Sequence, residues 1–524
     1  MKYQVNIGLE VHVELSTASK LFCGCSTKFG APPNSQTCPI CLGLPGVLPV
    51  INKKAVEYTL STALVLNCKI SRLCRFARKN YYYPDLPKNY QISQYDEPLA
   101  RDGYLDFEMN GKPRRVEIER VHLEEDAAKL IHGEDTQNPE DREASFVDYN
   151  RAGIPLMEIV SQPELHSPEE AYQYLVNLKR ILRYLKVSDC NMEEGSLRCD
   201  ANISISPQGE KLGTRTELKN MNSFKELRDG LELEVKRQSS LLDRGEKVMQ
   251  ETRLWDSKNK RTRSMRSKEE AHDYRYFPEP DLLPLEVNEE WKENLKTELP
   301  ELPPRRYQRF IKDYGLPPYD AGVLTDVKDL ADYFEKCVAS FPHPKLVSNW
   351  IMGEFLRLVK KVNLPIPQVK VSPEQIGRLL KQMKEGTLSR KLAKLVFEEM
   401  FKTGKDAEKI IEEKKLVQIT DELKLRDLVE GVVKENKGAV NDFKKGKKEA
   451  LSFLVGQVMK KTKGKASPQV VNKLLKERVG SLQDPADTSA ARRGVFHKAA
   501  AEKVGLRDLT HKFSLRLLMY HEGP

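Results

Sequence analysis

One stretch, residues 7–41, restricts the possible folds of this chain more than any other. From residue 7 to residue 15 every odd position is apolar, and the even positions hold Gly8, Glu10, His12 and Glu14. Strict alternation is typical of a strand with one buried face, so the polar side chains project together from the other face. Two carboxylates beside an imidazole favour a hard-cation site or acid–base chemistry. The alternative is an ordinary solvent-facing strand.

Four cysteines follow this strand with the spacing C-x-C, twelve residues, C-x-x-C: Cys23, Cys25, Cys38 and Cys41. Two close pairs of thiolates across a short loop predict a structural zinc knuckle. Four thiolates complete a tetrahedral shell, so this zinc would brace the loop and perform no chemistry. Four unrelated buried cysteines are the alternative.

The composition limits the class of protein. The chain has 524 residues, 39% of them hydrophobic, and a net charge of +10. This length allows three or four domains. No run approaches the roughly 18 apolar residues that cross a bilayer, and the N-terminus has the pattern of a strand, not of a signal peptide. Because the remaining cysteines are scattered, we expect a cytoplasmic protein without membrane contact.

Residues 78–99 combine five tyrosines with Pro84, Pro87, Lys79 and Lys88. The prolines predict an irregular loop. Such a loop can present cations to phosphates and aromatic faces to an unstacked base. A tyrosine-rich packing loop is the alternative.

Charged side chains recur in later stretches. Glu124 and Glu125 end a strand-like run, and Glu158 falls in a predicted loop around Gly153. Residues 197–205 and 215–219 alternate again, and their polar positions include Arg198, Asp200, Arg215, Glu217 and Lys219. One sheet with a charged concave side accounts for all of these strands together. Such a face suits ATP with magnesium better than it suits a solvent-exposed surface.

The C-terminal half predicts helices. Acids and prolines mark a linker at residues 287–304, and apolar residues at helical spacing follow. Residues 401–480 hold 20 Lys and Arg against 12 Asp and Glu, a local charge of +8. This excess favours contact with a phosphate backbone, and a solvated face is the alternative. Residues 481–524 break the pattern, and we assign them no role.

Several catalytic motifs are missing from the sequence. It contains no P-loop, no G-x-G-x-x-G after a strand and no G-x-S-x-G, so its nucleotide chemistry is not of those types.

Nine stretches occur in a fixed order between residue 3 and about residue 478: GLEVHVEL, the cysteine knuckle, FARKNYYYPDLPKNYQISQYDEPL, VHLEEDAAK, VDYNRAGIPLMEIV, MEEGSLRCDANIS, TELKNMNS, DYRYFPEPDLLPL and FLVGQVMKKTKGKA. In this order and spacing they resemble the B-subunit family of aspartyl/glutamyl-tRNA amidotransferases. The resemblance is specific because it depends on all of the stretches together.

The resemblance implies an α+β fold. A catalytic cradle domain, similar to the glutamine synthetase/guanido kinase fold and built on an antiparallel sheet, would span residues 1–290 with the knuckle at 23–41. An all-α helical domain would span 291–400, and a basic, YqeY-like helical tail would span 401–480. Residues 481–524 would be a C-terminal extension.

The resemblance further implies the kinase and transamidase component of a heterotrimeric ligase. ATP would phosphorylate the side-chain carboxylate of misacylated Glu-tRNA(Gln), Asp-tRNA(Asn) or both, and ammonia would then displace phosphate. Ammonia would arrive through a channel from a partner glutaminase, the amidase of the complex, and a small third protein would brace the pair. The expected cofactors are ATP, Mg²⁺ and structural Zn²⁺.

The charged strands and the resemblance together predict the site residues. The expected catalytic residues are Glu10, His12, Glu125, Glu158, Asp200, Glu217 and Lys219. The expected nucleotide-binding cations are Lys79, Lys88, Arg198, Arg215 and Arg275. The expected metal ligands are Glu10, His12, Glu124, Glu125 and Glu193 for magnesium, and Cys23, Cys25, Cys38 and Cys41 for zinc.

Two other functions are open at this point. A glutamine-synthetase-like ligase could act on a free amino acid, but it would have no use for a basic tail and separate helical domains. A non-catalytic tRNA-binding scaffold would carry a zinc knuckle, but it gains nothing from repeated buried acids.

Overall fold

The central strand of the fold, β1, runs from Tyr3 to Glu14 and contains the predicted alternation. Its odd-numbered apolar side chains from Ile7 to Val13 are buried, and the acids and the histidine between them are half-buried. The structure is a computed structural model that describes residues 2–132, 144–265, 274–414, 422–462, 466 and 468–480.

The other strands of the described residues follow in chain order. They are β2 (Lys69–Ile70), β3 (Leu73–Cys74), β4 (Ala77–Asn80), β5 (Tyr90–Ser93), β6 (Ala100–Met109), β7 (Lys112–Glu125), β8 (Lys129–His132), β9 (Ser145–Asp148), β10 (Pro155–Ser161), β11 (Leu197–Pro207), β12 (Thr216–Lys219), β13 (Glu251–Asp256), β14 (Arg261–Ser264), β15 (Phe277–Pro278) and β16 (Leu285–Glu286). Among these, nine strands form one sheet in the order β14-β13-β12-β11-β1-β10-β7-β6-β2. Within the described sheet β12 and β13 are parallel, and the other neighbours are antiparallel.

Helices α1 (Lys53–Val65), α2 (Pro168–Leu185) and α3 (Phe224–Asp243) cover the apolar face of this sheet. The odd-numbered side chains of β1 join one core with Leu60 of α1, Leu178 of α2 and Leu227 of α3. Asn52 caps α1, because its side chain accepts hydrogen bonds from the backbone of residues 54 and 55. Burial of one face leaves the charged side chains together on the other.

The remaining helices follow the sheet. They are α4 (Glu289–Glu298), α5 (Pro303–Lys312), α6 (Pro318–Leu324), α7 (Lys328–Ser340), α8 (Pro344–Trp350), α9 (Leu356–Val362), α10 (Pro373–Lys384), α11 (Arg390–Thr403), α12 (Ala407–Glu413), α13 (Glu422–Glu435), α14 (Lys437–Lys444), α15 (Lys448–Lys461) and α16 (Pro468–Gly480). A π-helical turn, Ile351–Phe355, joins α8 to α9. No helix of the described residues is long and apolar enough to cross a membrane.

Three sequence-based expectations about local structure are wrong. The linker at 287–304 contains α4, which starts because the Asn288 side chain accepts from the backbone N–H of Trp291 at 2.8 Å. The stretch 78–99 is not one irregular loop. Strands β4 and β5 pair with each other, and the connection between them contains Pro84 and Pro87. Glu158 lies on β10, a strand buried along its whole length, so its sequence shows no alternation.

The chain divides into two compact units. The first consists of Met1–Lys384 and Ala393–Lys414, and the second consists of Glu385–Leu392 and Lys415–Pro524. The second unit has its own core, which includes Leu425, Val432, Leu454 and Leu475. The predicted boundary at residue 290 lies inside the first unit and stays a prediction. The extension at 481–524 lies outside the described residues.

Leu178 tests the core beneath the sheet. Its side chain is fully buried, so Leu178→Ala should lower the free energy of unfolding of the first unit by about 2–5 kcal/mol through the cavity it leaves. Chemical denaturation measures this change. Leu283→Ala is the control, because that side chain is 91% exposed and its loss should cost less than about 0.5 kcal/mol. Equal losses in the two variants would contradict this account of the core.

Candidate active site on the polar face of the sheet

The strand registers place polar side chains from four strands side by side. His12 on β1 lies opposite Arg198 on β11 and Glu158 on β10. Glu158 in turn lies opposite His122 on β7. Directly opposed residues share one face of a sheet. We call this line of residues, Arg198, His12, Glu158 and His122, the central row.

Glu158 joins the two histidines of the central row. Its Oε1 lies 3.2 Å from His12 Nε2, and its Oε2 lies 3.1 Å from His122 Nε2. Burial alone would raise the pKa of the Glu158 carboxyl, but the charges of His122 and His12 outweigh burial and hold the pKa well below its usual range. Glu158 is therefore ionised at neutral pH.

His12 responds to the same pairing in the opposite direction. Burial by itself would lower the pKa of the imidazole, but the hydrogen bond with Glu158 and the charge of Glu124 overcome it and raise the pKa. Raised His and lowered Glu pKa values both favour a charged pair. The central row thus holds opposite charges side by side in a largely buried setting.

On one side of the central row, Glu10 lies opposite Asp200. Asn202 donates from Nδ2 to Glu10 Oε1 at 2.8 Å. Burial, followed by the charges of Glu158 and Asp200, raises the pKa of Glu10. Burial is the larger cause, and the two neighbouring acids add to it.

Lys219 offsets part of this charge. Its Nζ donates to Asp200 Oδ2 at 2.6 Å and lies 3.2 Å from Glu217 Oε1. Glu217 also accepts from the Thr252 hydroxyl at 2.7 Å. The predicted catalytic residues Glu10, His12, Glu158, Asp200, Glu217 and Lys219 therefore lie on one face of neighbouring strands.

A cavity of about 350 Å³ adjoins the Glu10 side of the central row. Glu10, Arg120, Asn202 and Arg215 are among its lining residues. Arg120 Nη2 also lies 3.8 Å from Glu158 Oε2, which connects the cavity to the central row. This polar cavity offers guanidinium groups beside carboxylates.

On the other side of the central row lies Glu124. Its Oε2 accepts from the Ser93 hydroxyl at 2.8 Å and lies 3.4 Å from His122 Nε2. Burial would raise the pKa of Glu124, but the hydrogen bond with His122 lowers it overall. Glu124 is thus a second buried carboxylate held by the same histidine.

Tyrosines border the Glu124 side. The ring centroids of Tyr81 and Tyr274 are 5.8 Å apart, and those of Tyr274 and Tyr276 are 6.1 Å apart. Lys79 Nζ lies 4.9 Å from the Tyr274 centroid. Burial and then the charge of Glu124 raise the pKa values of Tyr81 and Tyr276. We call Tyr81, Tyr95, Tyr274 and Tyr276 the tyrosine cluster.

Near the start of β11, the Arg198 guanidinium contacts two acids, Asp126 and Glu14. Its Nη2 donates to Asp126 Oδ2 at 2.8 Å, and its Nη1 lies 3.9 Å from Glu14 Oε1. Burial and the nearby Asp126 raise the pKa of Glu14 to about 8. Burial would raise the pKa of Asp126, but Arg198 and Arg151 lower it overall. One of the two acids is therefore protonated at neutral pH, and Arg198 is engaged in holding them.

The predicted magnesium ligands do not form one cluster. Glu125 faces away from its neighbour Glu124 because consecutive strand residues alternate. Its Oε1 accepts from the backbone N–H of Ile92 at 2.9 Å and is paired with Lys88. Among the described residues, the four cysteines are the group of three or more potential metal ligands whose ligand atoms all lie within 4.8 Å of one another.

Other predicted residues lie at the edges of the site. Glu193 is exposed in the turn before β11, and Arg215 is exposed beside the cavity. Arg275 is exposed, and its backbone carbonyl accepts from Asn80 Nδ2 at 2.8 Å. Their roles in binding nucleotide or metal stay predictions.

The four cysteines fit a zinc ion. Cys23, Cys25, Cys38 and Cys41 converge as the spacing predicts. A hydrogen bond with Cys23 outweighs burial and lowers the pKa of Cys41 to about 4, while the same hydrogen bond raises the pKa of Cys23 and burial raises that of Cys25 to about 11. Cys41 is therefore the thiolate of the metal-free cluster, and Lys20 Nζ lies 3.6 Å from its sulfur. Thiolate character is what a zinc ligand requires.

Sequence reasoning missed His122 and Ser93. His122 and Glu124 are two residues apart on β7, the same period that identified the polar face of β1. That signal could have found His122. Ser93 carries no such signal, because its position depends on a contact with a distant strand.

The family of the chain follows from two matches. The family model of the GatB/GatE catalytic domain matches residues 5–293, and that of the GatB domain matches residues 332–479. The chain belongs to the GatB/GatE family. This confirms the family expected from the sequence, and the central row and the knuckle both lie within the part that matches the GatB/GatE catalytic domain.

Relatives named as the B subunit of aspartyl/glutamyl-tRNA(Asn/Gln) amidotransferase cover most of this GatB/GatE chain. The relative from Carboxydothermus hydrogenoformans is 56% identical over 483 residues, which is 92% of this chain and 100% of the relative. The one from Caldanaerobacter subterraneus is 57% identical over 478 residues, 91% of this chain and 99% of the relative. The one from Moorella thermoacetica is 57% identical over 480 residues, which is 91% of this chain and 100% of the relative.

The cysteine cluster generates a test of metal content. The purified chain should contain about one zinc, and Cys38→Ser/Cys41→Ser should remove most of it, because two ligands cannot complete the tetrahedral shell. Elemental analysis measures the metal. Cys68→Ser, which changes a cysteine outside the cluster, is the control and should keep its zinc. Unchanged zinc in the double variant would show that these cysteines are not the ligands.

Proposed function

We propose that this chain is the kinase and transamidase component of a heterotrimeric, glutamine-dependent carbon–nitrogen ligase. It amidates misacylated Glu-tRNA(Gln), Asp-tRNA(Asn) or both, with ATP and ammonia. The observation that carries the proposal is the central row of charged side chains in a chain of this family. The named relatives, which this chain matches along nearly their whole length, support it.

The amidation proceeds in two steps. An oxygen of the substrate's side-chain carboxylate attacks the γ-phosphorus of ATP, and ADP leaves, which gives an acyl phosphate. Ammonia then attacks the acyl carbon, phosphate leaves, and a proton is lost from nitrogen. Phosphate is a far better leaving group than an oxide ion, so the first step makes the second possible.

The cavity beside Glu10 is our candidate for the phosphates of ATP. Arg120 and Arg215 line it, and guanidinium groups suit phosphate oxygens. Glu10 lines this cavity and would be a ligand of Mg²⁺, which would supply charge neutralisation on the phosphates. The acids Glu158 and Asp200 beside Glu10 support a cation there, because a divalent ion would offset their combined negative charge.

The tyrosine cluster is our candidate for the aminoacyl end of the tRNA. It borders the Glu124 side of the central row, whereas the cavity borders the Glu10 side. ATP and the aminoacyl group would therefore approach the row from opposite sides and meet above it. Lys79, next to Tyr274, offers a cation for the nucleotide backbone.

Glu158 is our candidate for the group that positions the two histidines of the site. It is ionised at neutral pH because the charges of His122 and His12 hold its pKa low, and an ionised carboxylate fixes the orientation of the imidazoles it contacts. A partner glutaminase, the amidase of the complex, supplies the ammonia, and a small third protein completes the complex. The proposal also includes a catalytic cradle domain, similar to the glutamine synthetase/guanido kinase fold, and a structural zinc ion held by its four cysteines.

The second unit is our candidate for contact with the body of the tRNA. Residues 401–480 carry a local charge of +8, and phosphate contacts supply affinity without base readout. A ligase for free amino acids would not need this charge. A scaffold without chemistry would not need ionised groups buried in a row.

His12 tests the proposed chemistry. In the assembled complex, His12→Ala should lower tRNA-dependent ATP hydrolysis and amidation with free ammonia by about 100-fold or more, because Glu158 loses a charged partner and the site loses an imidazole. The glutaminase activity of the partner should remain. His343→Ala, in the helical part of the first unit, is the control and should retain full activity. Amidation that survives His12→Ala would refute the role of this row.

The second unit provides a separate test. A chain ending before Lys415 should show a Michaelis constant for tRNA raised by about 10-fold or more and a flatter salt dependence, because phosphate contacts are lost. At saturating tRNA kcat should stay nearly constant, since this binding is shared by ground and transition states. Steady-state kinetics at several salt concentrations measures both.

Charge variants separate the effect of charge from that of truncation. Lys445→Gln/Lys460→Gln should show part of the same rise, and Lys312→Gln in the first unit should show none. Normal tRNA binding with lost turnover in the truncated chain would mean that the second unit acts on catalysis and not on affinity.

A further inference from the structure

Two tyrosines of the tyrosine cluster form an exposed stack. The rings of Tyr95 and Tyr276 are parallel within 7°, and their centroids are 4.1 Å apart. Tyr95 is nevertheless 56% exposed, and Phe277 beside it is 44% exposed. Aromatic surface left in water lowers stability unless something covers it. The stack thus presents a flat aromatic platform without a described protein group over it.

Carboxylates lie next to this platform. Asp96 and Glu97 line a cavity of about 120 Å³ together with Tyr95, Tyr276 and Arg75. Glu97 Oε2 lies 3.6 Å from Arg75 Nε, and 43% of the Glu97 side chain is exposed. The carboxylate therefore lies beside the platform with exposed surface that a hydrogen-bond donor of a ligand can contact.

An aromatic platform beside a carboxylate suits a nucleobase with an exocyclic amine. Bases stack on tyrosine faces irrespective of sequence. The N6 amine of adenine is a hydrogen-bond donor that a carboxylate can accept. Adenine meets both requirements.

The platform is close to the central row. Tyr95 follows Ser93 by two residues, a span of at most about 7 Å, and the Ser93 hydroxyl donates to Glu124 at 2.8 Å. The Tyr276 ring contacts Tyr274, and Tyr274 contacts Tyr81, which borders the Glu124 side of the central row. A base on the platform would therefore hold its own ribose near Glu124.

We propose that the Tyr95–Tyr276 stack and Glu97 bind the 3′-terminal adenine of the aminoacyl-tRNA. This inference rests on the proposed function. The terminal adenosine carries the amino acid on its ribose, so a fixed adenine delivers the side-chain carboxylate to the central row. The adenine of ATP has the same chemistry, but the arginine-lined cavity that suits ATP phosphates lies on the other side of the row.

Kinetics of the assembled complex, with free ammonia as the nitrogen donor, tests the inference. Tyr95→Ala should raise the Michaelis constant for misacylated tRNA by about 5- to 150-fold, the range measured for loss of one stacked base. The Michaelis constant for ATP should stay unchanged. Tyr95→Phe should restore binding because it keeps the ring. Tyr319→Ala, at a tyrosine that is 75% exposed in the helical part, is the control.

A second arm changes the base. A tRNA ending in purine riboside lacks the exocyclic amine and should bind the wild-type complex less tightly than normal tRNA does. Glu97→Gln, which preserves the size of the side chain, should weaken binding of normal tRNA and show a smaller difference between the two tRNAs. This arm stands even if Tyr95→Ala lowers stability.

The outcomes are distinct. A raised Michaelis constant for ATP with an unchanged one for tRNA would overturn the assignment and give the platform to the nucleotide. No change in either constant would show that the stack serves packing alone. A wild-type complex that amidates no misacylated tRNA would instead refute the proposed function, because that result requires no variant.

Discussion

The fold and the site both depend on the register of β1 between β10 and β11. One face of β1 is buried against helices, so the opposite face must carry every charged side chain that the strand contains. A shift of one residue in this pairing would turn the acids into the core and the apolar residues to solvent. The hydrophobic effect therefore fixes which polar groups meet. The contact of His12 with Glu158 follows from the packing of side chains on the other side of the sheet.

Most charged side chains on the polar face of the sheet are balanced by a neighbour of opposite charge. Glu158 and Glu124 share His122, and Asp200 and Glu217 share Lys219. An ionised group without a partner would cost several kcal/mol in such a setting. Glu10 is less well compensated, with an amide as its hydrogen-bond donor and two acids nearby. That imbalance distinguishes a site prepared for a cation from one that is complete by itself.

Alternation made β1 and the polar positions of β11 and β12 predictable, and cysteine spacing made the knuckle predictable. The same reasoning placed Glu158 in a loop and not on a strand, because β10 is buried on both faces and has no alternating pattern. It also grouped Glu125 with Glu124, although neighbours on a strand point in opposite directions. Sequence adjacency suggested one cluster where the pleat of the sheet produces two. The link between Ser93 and Glu124 could not be inferred, since it depends on how a separate hairpin packs on the sheet.

The loop after the knuckle extends these constraints to a residue with no functional group. Gly43 has φ +66°, and a Cβ atom there would meet Lys88 Cγ at 2.2 Å, whereas three residues later Gly46 has nothing within 4 Å. Any side chain at position 43 must push Lys88 aside, and Lys88 is the cation paired with buried Glu125. The two glycines thus differ: Gly46 is required by backbone conformation alone, and Gly43 also by the ion pair of Lys88 with Glu125. A position that touches no reactant consequently has less freedom to vary than many that do.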